Sequence, residues 1–416
     1  MEAFPYKQGA LHCEDVPVQA IADAVGTPFY LYSAAKLRDQ IRRFDRAFAP
    51  IDHTVCFAVK ANGNLAVINL FAQEGAGADI VSGGELFRAV KAGVQPKNIV
   101  YSGVGKNERE ITEALAAGIR MFNVESAQEL YELNRVAIAK GTRAPVALRV
   151  NPNVDPKTHP KISTGLNKAK FGIAIGDVVK YYREAAQMEG IEVVGIDCHI
   201  GSQLTQLSPF VDAVRLLKPL LDTLRADGMN IRYLDVGGGL GVVYHDETPP
   251  SPEAYARAIL DVVGDWGVHL ILEPGRFLTA NAGIFVTKVL YLKEEHRNFV
   301  IVDAAMNDLI RPALYDSYME VVPVQRAERP TFTAQVVGTI CETGDVFAKD
   351  REIARPEPGE LLAITGAGAY GFVMASNYNA RPFVPEVMVD GGRFHVVRER
   401  GTYEDLIRGE RMPPKG

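Results

Sequence analysis

Between Thr27 and Arg276 the chain repeats one pattern eight times: a short apolar run, a polar or glycine stop, then a longer stretch with helical spacing. The apolar runs are residues 55–59, 78–81, 99–101, 121–124, 146–150, 193–196, 233–236 and 270–272. The stretches between them begin with good N-caps: Ser33 before residues 34–48, Ser82 before Glu85 and Leu86, and Ser126 before residues 127–139. After Thr205, the residues Phe210, Val211, Val214, Leu217 and Leu221 fall on one helical face. An open, doubly wound sheet also alternates strands with helices. A count of eight units in about 250 residues favours the closed (β/α)8 TIM barrel.

A barrel of this kind gathers its chemistry at the C-terminal ends of its strands. The stops found there are Lys60, Ser82, Ser102, Glu125, Asn151, His199, the glycines 237–239 and Glu273. Beyond Arg276 the texture changes. Residues 299–302, 331–340, 361–364 and 394–398 are β-rich, Asp390-Gly391-Gly392 has the composition of a tight hairpin turn, and only the stretch after Thr402 has helical character. The expected fold is therefore α/β. A barrel spans 28–276, and a second, mainly β domain spans 277–416 and is joined by the N-terminal segment 1–27.

Composition narrows the class of function. With 51 acidic against 45 basic residues the net charge is −6, and no basic stripe is present, so a nucleic-acid partner is not expected. The first residues, Met1-Glu2-Ala3-Phe4-Pro5, lack a basic start followed by an apolar run, and no run is long enough to span a bilayer. Cys13, Cys56, Cys198 and Cys341 lie far apart, which argues against a zinc site and a disulfide framework. A cytoplasmic enzyme acting on small molecules, without a metal, fits these features.

Several of the stops suit one kind of chemistry. Lys60 ends an apolar run, and a partly desolvated amine loses its proton readily and condenses with an aldehyde. By itself it is equally a snorkelling surface lysine. The run Gly237-Gly238-Gly239-Leu240-Gly241 lets backbone N–H groups approach a phosphate, or forms an ordinary tight turn. Glu273, in Glu273-Pro274-Gly275-Arg276, can pair with a protonated ring nitrogen, while Gly275 offers a backbone donor and Arg276 a two-pronged grip on a carboxylate. His199 can stack on an aromatic ring, with Ser202 donating to a phosphate. Cys341, flanked by Glu342, suits a proton donor better than a nucleophile. Tyr370, framed by glycines, can reach a phosphate or a substrate.

Together these segments resemble the fold-type III pyridoxal-phosphate-dependent decarboxylases over essentially the whole chain. The resemblance rests on residues 57–62 (FAVKAN), 199–202 (HIGS), 237–239 (GGG), 273–276 (EPGR), Cys341-Glu342 and 369–371 (AYG). The diaminopimelate branch is the closest, on residues 149–155 (RVNPNVD), 159–165 (HPKISTG) and 306–315 (MNDLIRPALY). The resemblance implies that pyridoxal 5'-phosphate is bound through Lys60, with His199 on its ring, Glu273 at its ring nitrogen and Asp79 behind Lys60 and His199. It further implies a phosphate site made by Ser202, Gly238, Gly239, Gly275, Arg276 and Tyr370. Arg276, Arg311 and Tyr315 would hold the distal carboxylate of the substrate, Glu342 its distal amine, and Cys341 or Lys60 would protonate Cα. The active site is then shared between the two subunits of a homodimer. The implied reaction is decarboxylation of meso-diaminopimelate to L-lysine and CO2. An ornithine, arginine or carboxynorspermidine decarboxylase of the same fold is the nearest alternative. Further off are a racemase and a non-catalytic pyridoxal-phosphate-binding regulatory protein.

Overall fold

The structure, a computed structural model, describes residues 3–155, 158, 164, 165 and 170–414. The chain divides into two compact units, Leu37–Leu278 and Met1–Lys36 together with Thr279–Gly416.

Eight parallel strands form the first unit: β1 His53–Ala58, β2 Gly77–Ile80, β3 Ile99–Tyr101, β4 Met121–Val124, β5 Ala144–Asn151, β6 Ile191–Asp197, β7 Tyr233–Asp235 and β8 His269–Leu272. Each pairs with its neighbour in sequence, and β8 pairs with β1. This is the closed (β/α)8 barrel that the count of eight predicts, not a doubly wound sheet. Strands β2, β3 and β4 are buried at every position, which is why they are near-continuous apolar runs.

Helix starts follow the caps. The Ser82 side chain accepts from Glu85 N–H, and Ser126 accepts from Glu129 N–H, each at 3.2 Å. The stretch after Thr205 is two helices, Ser208–Arg215 and Leu217–Ala226, not one. Pro219 explains the break, because a continuous helix needs an N–H there to reach the carbonyl of Arg215.

The lumen of the barrel has two zones. Cys56, Val100, Met121, Ala147, Val194 and Ile271 form a buried apolar cluster, with Tyr233 packed against it. Alternate residues of a strand share a face. Two positions further along, the same wall continues with Ser102, Asn123, Arg149, Asp235 and Glu273, all buried. The lumen is therefore apolar below and polar toward the C-terminal mouth.

In the second unit the main sheet runs Val346–Ala354, Thr331–Val337, Asn298–Val302, Gly283–Glu294, Phe29–Ser33, Glu386–Asp390 and Arg393–Arg398. Phe29–Ser33 lies inside the 28–276 span drawn from sequence, yet it pairs here on both sides, with Gly283–Glu294 and with Glu386–Asp390. Leu11, Val18, Ile21, Phe29, Ile284 and Val387 share one core. Gly391, at φ +62°, turns the chain between the last two strands. The helix Arg311–Tyr315, absent from the sequence expectation, interrupts the β texture. No helix among the described residues is long and apolar enough to cross a membrane.

Candidate active site

Lys60 sits in a single 3-10 turn, Val59–Ala61, directly after β1. Its side chain is 35% exposed and forms an ion pair with the fully buried Asp79 of β2. Asp79 thus holds the amine at the mouth while leaving one face open to a reactant.

Glu273 follows β8, and its N–H donates to the Gly237 carbonyl at 2.8 Å, which ties the exit of β8 to the glycine loop after β7. Its Oε1 accepts from Ser102 Oγ at 3.2 Å and from Asn123 Nδ2 at 3.3 Å. Burial pushes the Glu273 carboxyl up to about 7; Asp79 adds repulsion, while Lys60, a hydrogen bond with Asp235 and Arg149 oppose the rise. A carboxyl group so placed takes or gives a proton readily near neutrality.

The half-buried His199 follows β6. Its Nδ1 accepts the Gly238 N–H at 3.0 Å, so in the neutral ring the proton resides on Nε2. Burial, with Arg149 and Lys60 as neighbouring cations, holds the imidazole well below its ordinary pKa. The neutral ring sits against the loop: a Cβ on Gly237 would lie 2.5 Å from Nδ1. The backbone behind it is fixed by Arg149, which donates to the His199 carbonyl at 3.1 Å and pairs with buried Glu125 at 2.7 Å.

The glycine loop has no room for side chains. A Cβ on Gly238 would overlap the Glu273 carbonyl oxygen, and one on Gly239, at φ +114°, would lie 2.5 Å from the Gly201 carbonyl oxygen. The loop is laced to its neighbour by Leu204 N–H to Gly239 O at 2.9 Å and Gly241 N–H to Leu204 O at 3.0 Å. Ser202 Oγ accepts from Arg276 Nε at 3.3 Å and Nη2 at 3.2 Å, and Arg276 Nη1 donates to the Tyr244 hydroxyl at 2.8 Å. Gly275 packs on the Lys60 turn, where a Cβ would come within 3.0 Å of the Cβ atoms of Ala58 and Ala61.

This crowding sets up a test. Gly238→Ala is expected to lower stability by about 1–3 kcal/mol through overpacking against backbone and to weaken cofactor binding. Thermal melts and cofactor titrations check it, and an alanine variant with wild-type values for both contradicts the crowded loop.

The barrel therefore brings together Lys60, Asp79, His199, Ser202, Gly238, Gly239, Glu273, Gly275 and Arg276. The remaining sequence-derived residues lie in the second unit. There the buried Arg311 begins the helix Arg311–Tyr315, which ends at Tyr315. Asp345 accepts from Met306 N–H and Ile340 N–H, each at 2.7 Å, and so draws the 306–315 motif toward Cys341 and Glu342. Cys341 is a free, exposed cysteine, and Glu342 accepts from the Tyr378 hydroxyl at 3.1 Å. Tyr370 has φ +55°, in the left-handed region. Residues 159–163 of the motif at 159–165 lie outside the described residues.

Sequence inspection missed Asn123, Asp197, Asp235 and Tyr244. The first three are polar residues near the ends of apolar strands, and Asn123 and Asp235 stand two positions beyond a core residue. That spacing was the available signal.

The donor set fits pyridoxal phosphate. An amine stands ready for the aldehyde, a carboxylate for the ring nitrogen and a flat neutral ring for stacking, beside a cradle that Cβ atoms would fill. A family model described as "Pyridoxal-dependent decarboxylase, pyridoxal binding domain" matches residues 34–280. The chain thus belongs to the pyridoxal-dependent decarboxylases, and its cofactor is pyridoxal phosphate. It is 52% identical over 416 residues to the diaminopimelate decarboxylase of Pseudomonas aeruginosa, with 100% of both chains covered. Diaminopimelate decarboxylases from M. jannaschii and Helicobacter pylori, each solved with L-lysine, are 40% identical with TM-scores of 0.95 and 0.91. They cover 99% and 94% of this chain, and 98% of each of them is covered. Within its class, the chain belongs to the diaminopimelate decarboxylase family.

Proposed function

We propose that this carboxy-lyase converts meso-diaminopimelate to L-lysine and CO2, the decarboxylation that forms lysine in its biosynthesis. The observation that carries the reading is the meeting of Lys60, Glu273 and the glycine cradle at one barrel mouth. When bound, pyridoxal phosphate supplies the electron sink that lets a C–COO⁻ bond break. Lys60, steered by Asp79, would hold the cofactor through its aldehyde. Glu273 would pair with the ring nitrogen, and His199 would lie against the ring. Ser202, the Gly238 and Gly239 backbone, Gly275, Arg276 and Tyr370 bind the phosphate.

Selectivity rests on the far end of the substrate. Arg276, Arg311 and Tyr315 take its distal carboxylate and Glu342 its distal amine. Ornithine lacks that carboxylate, and leaving buried donors unpaired costs affinity. Cys341 protonates Cα after CO2 leaves. Its exposure on the single chain supports a homodimer in which Cys341 and Glu342 of one subunit complete the site of the other. Three of the four cysteines are buried and all are free, which supports a reducing, cytoplasmic setting.

Measuring CO2 release from meso-diaminopimelate, L-ornithine and L-arginine tests the assignment. Turnover of the first is expected to exceed that of the others by two orders of magnitude or more (roughly 10²-fold). Turnover of ornithine alone would falsify it.

A further inference from the structure

The polar zone of the barrel holds more acid than base. Two ion pairs lie there, Lys60 with Asp79 and Arg149 with Glu125. Asp197, Asp235 and Glu273 are buried too, and among the described residues none of the three is in an ion pair. Asp197 Oδ1 is buried without a hydrogen-bond partner. A carboxylate stripped of both water and cation is costly enough that such a group takes up a proton instead.

Two of these acids meet. Asp235 and Glu273 share one donor. Asn123 Nδ2 spans them, 3.1 Å from Asp235 Oδ2 and 3.3 Å from Glu273 Oε1. Gly237 N–H donates to Asp235 Oδ1 at 2.9 Å and so fixes the other oxygen. Two buried carboxylates drawn to one donor repel each other when both are ionised, which favours a proton on one of them.

We propose that Asp235 carries this proton and donates it to Glu273, which makes Asp235 a positioning residue for the partner of the cofactor ring nitrogen. The inference rests on the role given to Glu273 above. With the Asp235 hydroxyl, Ser102 and Asn123 all donating, the anionic form of Glu273 is favoured and aimed although it is buried. The pair then carries one negative charge instead of two. The charged groups facing it are Asp79, Lys60 and Arg149, with Asp197 beside both acids and Glu125 behind Arg149. Cys56, Cys198 and Tyr255, all held neutral by burial, are further neighbours of Asp235. Burial and the charge of Glu273 push Asp235 well above the usual carboxylate range.

The test compares two ligands of the apo-protein: pyridoxal phosphate and its carbocyclic analogue with C–H in place of the ring nitrogen. Aldehyde and phosphate are common to both, so the ratio of their dissociation constants reports the contact between Glu273 and the ring nitrogen. Wild type is expected to prefer pyridoxal phosphate by at least about tenfold near neutrality. The preference falls as pH drops through the Glu273 pKa, because protonated Glu273 and the protonated ring must shed one proton to meet. Asp235→Asn mimics a protonated Asp235 and is expected to leave the midpoint of that fall within about half a pH unit. Asp235→Ala removes the donor and moves the midpoint upward by about a unit or more.

A downward shift of about a unit or more in the Asn variant would mean that an anion had been removed, and it overturns the proposal. So does an Ala variant that folds and leaves the midpoint in place. If the Ala variant fails to fold, the Asn variant decides alone. Absence of any preference in the wild type instead overturns the role of Glu273, and this inference with it.

Discussion

Lys60→Ala is expected to abolish the visible absorbance band of lysine-bound cofactor and to reduce turnover on the order of 10⁴-fold or more. The loss is large because Lys60 makes the cofactor's attachment an intramolecular event, and that positioning is worth several powers of ten. Non-covalent binding should survive, since the cradle formed by Ser202, the glycine loop and Arg276 does not involve the amine. The variant also strands the fully buried Asp79 carboxylate. Removing one partner of a buried pair costs about 3–5 kcal/mol. The loss here should be smaller, because Lys60 is one-third exposed. A variant that keeps the band, or that turns over within tenfold of wild type (roughly 1.4 kcal/mol), would move the anchor elsewhere.

The second large effect concerns Cys341→Ala. Cofactor spectrum and affinity should match the wild type, while turnover falls about 10²–10⁴-fold, the usual worth of a positioned general acid. Shared sites add a sharper expectation. Neither the Lys60→Ala nor the Cys341→Ala protein is active alone, but mixing and re-equilibrating them should restore activity. A heterodimer of the two has one site with its native Lys60 from one subunit and its native Cys341 from the other. If each site were built from a single chain, both sites of the heterodimer would carry a defect and no rescue would occur.

The barrel was legible because parallel strands buried on both faces must be apolar runs, and each run ends where polar loops begin. Lys60, His199, the glycine loop and Glu273 stood out as exceptions at those ends. Asp235 and Asn123 did not, because they lie inside the runs and count as single polar residues in apolar company. Their alternation with Tyr233 and Met121 was visible, but it carries meaning only once those strands are known to share a lumen. The second unit was harder to read. Gly283–Glu294, the strand between Phe29–Ser33 and Asn298–Val302, was absent from the expected strands, and it pairs with a segment about 250 residues earlier. Apolar patterning marks a strand's face but not its partner. The Asp345 hydrogen bonds that join Met306 to Ile340 likewise have no sequence signal.

The apolar floor of the barrel works as an electrical insulator. Cys56, Val100, Met121, Ala147, Val194 and Ile271, with Tyr233 packed against them, respond little to charge placed above them. Screening of Lys60, Arg149 and the buried acids therefore comes mainly from the mouth side. A cofactor seated in that mouth displaces part of that screening, so the layer beneath feels the cofactor's own charges strongly.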